Sequence, residues 1–246
     1  MPRPKSRQKN PQLILNAAKR VPQHWIEPDA FLRYWPVIRW LCARSKLLKV
    51  LEVGSGDFGL STYLDYPLVK TDVNFVSKKS GAKNKVSANA LALPFQDKYF
   101  DLVFGVDLFE HIFPEQRKSV FREMLRVARE RVVLIFPCGE EARDQDFRLA
   151  EIYRAKSGQT LSILEEHRKI PFPSEIEIKS WLGGRPVKKW RIQNSFHLNW
   201  RKYLINGWLQ QKKWAIVLAE LILSFPSASR FLHFGNCYRR ILTIDV

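Results

Sequence analysis

Apolar residues along this chain fall into two kinds of segment: short unbroken runs, and longer stretches where they recur every three or four positions. Residues 49–53 (Lys-Val-Leu-Glu-Val) are a β-prone run broken by one carboxylate, Glu52, and residues 131–137 (Arg-Val-Val-Leu-Ile-Phe-Pro) are β-branched and uncharged after the first position. Both read as buried strands. Residues 68–73 and the Phe100-Asp101-Leu102-Val103 segment predict two more. Leu60, Tyr63 and Leu64 have helical spacing, as do Val120, Phe121, Met124, Leu125 and Ala128, the second set following Pro114 and Glu115 in a helical first turn. Two helices are expected over residues 13–46, parted at Val21-Pro22, and a charged helical stretch over residues 139–169. Residues 187–195 and 237–246 alternate as strands do.

The first strand runs straight into Gly54-Ser55-Gly56-Asp57-Phe58-Gly59. Glycines at such a turn permit backbone angles closed to other residues and remove β-carbons that would hold a ligand off the main chain, so a ligand is expected there. The spacing Gly54-x-Gly56-x-x-Gly59 fits the dinucleotide fingerprint, with Asp72 near the distance of its ribose-binding acid. Asp72 closes the second strand, where open α/β sheets bind ligands, and an ionised carboxylate there can accept from both hydroxyls of a vicinal diol. A tight strand connection and a solvated turn residue are the plainer readings of the same features.

Composition narrows the class. The chain has 246 residues, 46% of them hydrophobic, enough for one substantial core with embellishments. Cys42, Cys138 and Cys237 are widely spaced and suggest neither disulfides nor a zinc site, which favours a reducing, cytoplasmic setting. No metal is expected. The basic N-terminal segment precedes no long apolar run, so it does not read as a secretory signal, and no run reaches the length of a bilayer span. The formal charge of +17 is concentrated in residues 1–49 and 139–246, with a nearly neutral segment between them. Such a field attracts nucleic acid, anionic lipid or phosphorylated substrates without choosing among them.

Beyond Asp72 the segment Asn89-Ala90-Leu91-Ala92-Leu93-Pro94-Phe95, then Phe100-Asp101-Leu102-Val103, then Glu110-His111, resembles the class I S-adenosylmethionine-dependent methyltransferases, in the branch with a Leu-Pro-Phe turn and a Glu-His pair beginning the next helix (methyltransferase type 11-like). The resemblance spans residues 50–137 and outweighs the nicotinamide reading. It implies a Rossmann-like α/β three-layer sandwich with a mostly parallel seven-stranded sheet, an antiparallel last strand and a C-terminal helical insertion. It implies S-adenosyl-L-methionine as cofactor, with Glu52 toward the methionyl part, Gly54, Ser55 and Gly56 beside the amino acid and sugar, Asp72 on the ribose hydroxyls with Val73 adjoining, and Asn89 with Ala90 at the adenine. Asp107, at the tip of the fourth strand, would face the pocket. Phe58 stands where the family's commoner turn has a third glycine, and Asn89 where it often has Asp, which keeps the acceptor but drops a charge.

On this reading, residues 1–12 are a disordered basic arm, 13–48 helices covering the core, 49–138 the cofactor-binding core, and 139–246 a substrate cap, helical insertion and last two strands. Methyl transfer to a small or lipid-linked acceptor is expected; an RNA methyltransferase and a non-catalytic relative of the fold are the alternatives. No catalytic base is assigned. Asp107, His111, Glu166 and His167 are the candidates, the last two if a cap helix brings them over the methyl group. Trp181, Trp190, Trp200, Trp208 and Trp214 are interleaved with Lys and Arg and followed by an apolar run at 215–223. Packing of a cap onto the sheet is the preferred reading of that mixture. Peripheral contact with an anionic membrane surface on the inner face, or stacking on single-stranded RNA, would use the same residues.

Overall fold

A computed structural model of the chain describes residues 30–57, 59–75, 84–160, 162–183, 187–209 and 233–246. The strands are β1 (Val50–Val53), β2 (Val69–Asp72), β3 (Lys85–Ser87), β4 (Phe100–Val106), β5 (Ala128–Pro137), β6 (Lys189–His197) and β7 (Cys237–Asp245). The helices are α1 (Ala30–Cys42), α2 (Pro114–Val127), α3 (Glu140–Ser157), α4 (Ser162–Lys169), α5 (Glu175–Leu182) and α6 (Leu198–Leu209). The seven strands form one sheet in the order β3-β2-β1-β4-β5-β7-β6, with β1 to β5 parallel and β7 antiparallel to both its neighbours. This is the Rossmann-like fold expected from the resemblance.

Alternation along the strands sends side chains into two cores. Leu51, Val53, Val103, Val132 and Leu134 face α2 and α5, meeting Val120, Phe121, Met124, Ile178 and Trp181, while Val50, Leu102, Phe104, Val133 and Ile135 meet Phe31, Ile38 and Leu41 of α1. The central strand β4 is buried along its whole length, as a parallel strand covered on both faces must be. Arg126 fastens the Leu-Pro-Phe turn, donating from Nη2 to the Leu93 carbonyl (3.0 Å) and from Nη1 to that of Phe95 (2.8 Å).

Three expectations need correcting. Leu60, Tyr63 and Leu64 do not open a helix: one 3-10 turn, Leu60–Thr62, is all that follows the glycine loop. Pro67 restricts Tyr66 to extended backbone, and the Leu48 amide donates to the Tyr66 hydroxyl (2.7 Å), tying this segment to the start of β1. Likewise, Glu110 and His111 lie in a separate 3-10 turn, Phe109–His111, ahead of α2. Ala128 belongs to β5, because α2 ends there in extended backbone. Trp181 agrees with the packing reading: it is core, 2% exposed and packed against Phe109, Phe121 and Phe136. Trp190 and Trp200 remain partly exposed. Residues 1–29, Phe58, Trp214 and the apolar run 215–223 lie outside the described residues. Among those described, no helix is long and apolar enough to cross a membrane.

Candidate active site

The strand order reverses between β1 and β4, and the C-terminal ends of strands at such a reversal are where open α/β sheets hold ligands. The three glycines of the first loop all have positive φ, and each serves a different purpose. A β-carbon on Gly54 would come 2.7 Å from Leu108 Cδ1, because the two loops pack together. One on Gly59 would come 2.5 Å from Glu52 Oε2. Around Gly56, its chain neighbours aside, no atom of the described residues lies within 4 Å of that position, so bareness there leaves open space among them.

Glu52 is buried beneath the loop, both of its oxygens accepting from the Leu60 amide at 3.1 and 3.0 Å. Burial pushes its carboxyl from 4.5 up to about 7, against the Leu60 amide, Lys70 and Tyr34, which pull it down. The buried Lys70 grips the loop from β2, donating to the Asp57 carbonyl (3.0 Å) and to Ser61 Oγ (3.3 Å). Asp72 faces the same loop: its Oδ2 accepts from the Gly56 amide (2.8 Å) and its Oδ1 from Asn74 (3.0 Å). A carboxylate has about four acceptor positions, so two bonds leave room for a ligand's hydroxyls. Val73, beside it, is 60% exposed. Asn89 is also exposed, its Oδ1 accepting from Leu91 (2.9 Å), and Ala90 is buried. Ser55 is buried and donates to the Gly56 carbonyl (3.0 Å).

On the β4 side, Asp107 has φ of 49° and is clamped by two guanidiniums, Arg33 Nη1 at 2.6 Å and Arg239 Nε at 3.0 Å. Those cations, one from α1 and one from β7, stabilise it as a carboxylate. Glu110 is buried, and burial followed by the neighbouring Asp107 holds its carboxyl well above the usual range. His111 is pushed below its ordinary value by burial, and its Nδ1 lies 3.3 Å from Glu166 Oε2 on α4. His167, one residue on, is buried with its ring centroid 5.5 Å from that of His111. Its Nδ1 lies 2.7 Å from Asp146 Oδ2, which also accepts from the Tyr238 hydroxyl (2.6 Å), while Arg201 lies 2.9 Å from Oδ1. Burial pushes Asp146 upward, yet Arg201, His167 and Tyr238 together hold it below the ordinary carboxylate range.

Arg117, fully buried, locks this turn by donating to the carbonyls of Phe109 and Ile112 (both 3.0 Å) and of Pro171, and to Glu177 (2.9 Å). The expected site residues therefore form two groups at neighbouring strand tips. Glu52, Gly54, Ser55, Gly56, Asp72, Val73, Asn89 and Ala90 surround the tips of β1 and β2, while Asp107, His111, Glu166 and His167 gather at the tip of β4 and its roof, α4. Sequence reasoning missed Arg33, Lys70, Glu110, Arg117, Asp146 and Arg239. Of these, only a carboxylate preceding His111 carried a local signal.

A separate cleft of about 560 Å³ between α1 and the β5-β7-β6 strands, lined by Trp40, Arg131 and Trp190 among others, lies toward the opposite ends of β4 and β5, away from these groups.

Residues 51–136 match a family described as a methyltransferase domain. A solved S-adenosylmethionine-dependent methyltransferase from Archaeoglobus fulgidus superposes with a TM-score of 0.52 at 13% identity, covering 96% of this chain and all of that one. Haemonchus contortus phosphoethanolamine N-methyltransferase 2, solved with phosphomonomethylethanolamine and S-adenosylhomocysteine, superposes with a TM-score of 0.56 at 14% identity, over 90% of this chain and 54% of its own length. The chain therefore shares the Rossmann-like fold of these methyltransferases, and its residues 51–136 match the methyltransferase domain.

Proposed function

We propose that this protein transfers a methyl group from S-adenosylmethionine to a small-molecule acceptor held between the tip of β4 and α4. The observation that carries the reading is the space that the described residues leave open at Gly56, with the Asp72 carboxylate bonded to its amide at 2.8 Å. Main chain without a side chain and a diol acceptor adjoin at the point where the sheet's strand order reverses.

The cofactor would lie along residues 54–56. Its diol would meet Asp72, and its base the exposed Val73 with Ala90 and the Asn89 side chain. When bound, it supplies a methyl group on a positively charged sulfur, open to displacement by a nucleophile in line with the leaving thioether. The protein's task is then placement and a suitably charged, drained pocket. Glu52 and Lys70 hold the loop from beneath. Asp107, paired with two arginines, is a poor proton acceptor and a good anchor for α1 and β7 over the strand tip. His111, kept toward its neutral form by burial, retains an imidazole able to orient an acceptor.

The roofing of this tip by α4, with Glu166 at 3.3 Å from His111, favours a small acceptor over a macromolecule. Incubation of the full chain with methyl-labelled cofactor and a deproteinised, nucleic-acid-free cell extract is the test. A labelled compound of low molecular mass, absent with Asp72→Ala, is expected. Label confined to RNA or protein acceptors in a parallel whole extract would refute the small-acceptor reading.

A further inference from the structure

Glu110, His111 and His167 converge at the tip of β4 in a way that neither packing nor methyl transfer requires. Their ligand-type atoms all lie within 4.8 Å of one another, although His167 comes from α4, 56 positions further along the chain. Two of the three expose less than a tenth of their surface, Glu110 at 2% and His167 at 5%. Glu110 Oε2 and His167 Nε2 are both buried without a hydrogen-bond partner. A buried carboxylate oxygen and a buried imidazole nitrogen left unmatched are costly, and one bound cation would satisfy both.

The surroundings are those of a metal ligand set. His167 Nδ1 faces Asp146 Oδ2 at 2.7 Å, and Asp146 is itself fixed by Tyr238 and Arg201. A carboxylate on one imidazole nitrogen fixes the tautomer and leaves the other nitrogen's lone pair for an ion, the usual outer support of a metal-bound histidine. The Glu110 and His111 backbone is equally constrained, since Arg117 holds the carbonyls on either side of the pair.

We infer that Glu110, His111 and His167 bind a divalent transition-metal ion, zinc first among them, with Asp146 as the orienting carboxylate behind His167. Two imidazoles and one carboxylate suit borderline ions such as Zn²⁺ and Co²⁺ over Mg²⁺ or Ca²⁺, which prefer oxygen-rich shells. Bonds of about 2.0–2.2 Å place tetrahedral ligands roughly 3.4 Å apart, so ligand atoms that lie within 4.8 Å of one another draw together on binding. Three protein ligands leave a coordination position open, which is the pattern of a catalytic rather than a structural ion. If the proposed methyl transfer holds, that position receives an oxygen, nitrogen or sulfur atom of the acceptor and makes its proton easier to lose. The ion's binding does not depend on that reading.

The test uses the full chain, stripped with a chelator and titrated with Co²⁺, followed by visible absorption and by competition with Zn²⁺. One equivalent per chain is expected, with a d–d spectrum displaced stoichiometrically by Zn²⁺. His167→Ala and Glu110→Gln should each weaken binding at least tenfold, and Asp146→Asn by about 10–100-fold through the orienting bond alone. Circular dichroism shows which variants fold, and the wild-type titration stands regardless of them. Absence of saturable Co²⁺ binding by the wild-type chain overturns the inference, as does binding unchanged in a folded Glu110→Gln. Cofactor binding, measured on the same stripped protein, fails or succeeds separately and so distinguishes this inference from the proposed methyl transfer.

Discussion

Gly59→Ala probes the seating of the glycine loop. Gly59 has φ of 60° and ψ of −162°, a region essentially reserved for glycine, where a side chain adds roughly 1–3 kcal/mol of strain. The new methyl would also stand 2.5 and 2.8 Å from the two oxygens of Glu52. That carboxylate cannot swing aside cheaply: it is 1% exposed and holds the Leu60 amide with both oxygens. Losing a hydrogen bond to a buried charged group costs roughly 1.5–3 kcal/mol, so the total loss is about 3–5 kcal/mol, a large part of the roughly 5–15 kcal/mol that stabilises a domain. Urea unfolding of wild type, Gly59→Ala, Glu52→Ala and the double variant separates the two contributions. With Glu52 truncated, Gly59→Ala should show only its backbone strain, giving an interaction of about 2 kcal/mol. Equal cost of Gly59→Ala on both backgrounds would refute the argument that Glu52 fills the space beneath the loop.

Three further outcomes follow from buried charges. The Glu52 carboxyl rises from 4.5 to about 7 on folding, so the folded state binds its proton more tightly. The stability this provides is fully present below pH 4.5 and is lost as pH climbs through 7, by about 3 kcal/mol in all. Glu52→Gln lacks that slope, so its stability relative to wild type should rise by that amount between pH 4.5 and 7.5 in urea titrations; parallel pH profiles would contradict it. Arg117→Ala strands Glu177 and the carbonyls of Phe109, Ile112 and Pro171, and should lower stability by about 3–5 kcal/mol, whereas a loss under 1 kcal/mol would show that the turn does not depend on it. Tyr238→Phe removes one donor to the buried Asp146 and should cost about 1.5–3 kcal/mol by the same assay; an unchanged midpoint would mean that His167 and Arg201 suffice.

What could be read from the sequence was what local chemistry fixes. β1, β4 and β5 are apolar because both faces of a parallel sheet are covered, so their runs announced themselves. The turn at Gly54 and Gly56 was legible because glycines straight after an apolar strand mark a backbone of positive φ, which both adopt. The absent helix after Gly59 was hidden because Leu60, Tyr63 and Leu64 do bury apolar surface, but on a 3-10 turn and an extended return governed by Pro67 and Tyr66. Packing was the preferred reading for the Trp-rich mixture, but which tryptophan enters the core was not legible: the neighbours of Trp181 in space, Phe109, Phe121 and Phe136, lie far from it in sequence. The convergence of His167 on Glu110 and His111, backed by Asp146, depends on where α3 and α4 fold over the tip of β4, a long-range outcome that no local pattern encodes.

Calorimetric titration of the full chain with S-adenosylhomocysteine tests the central claim, that the bare main chain at Gly56 and the carboxylate of Asp72 form the cofactor's seat. Wild type should bind one equivalent. Asp72→Ala should abolish binding, and Gly56→Ala should weaken it tenfold or more while lowering stability by only about 1–2 kcal/mol, since the described residues leave that space open and the added methyl adds only left-handed strain. No binding by the wild-type chain, or wild-type affinity in both variants, would contradict the claim.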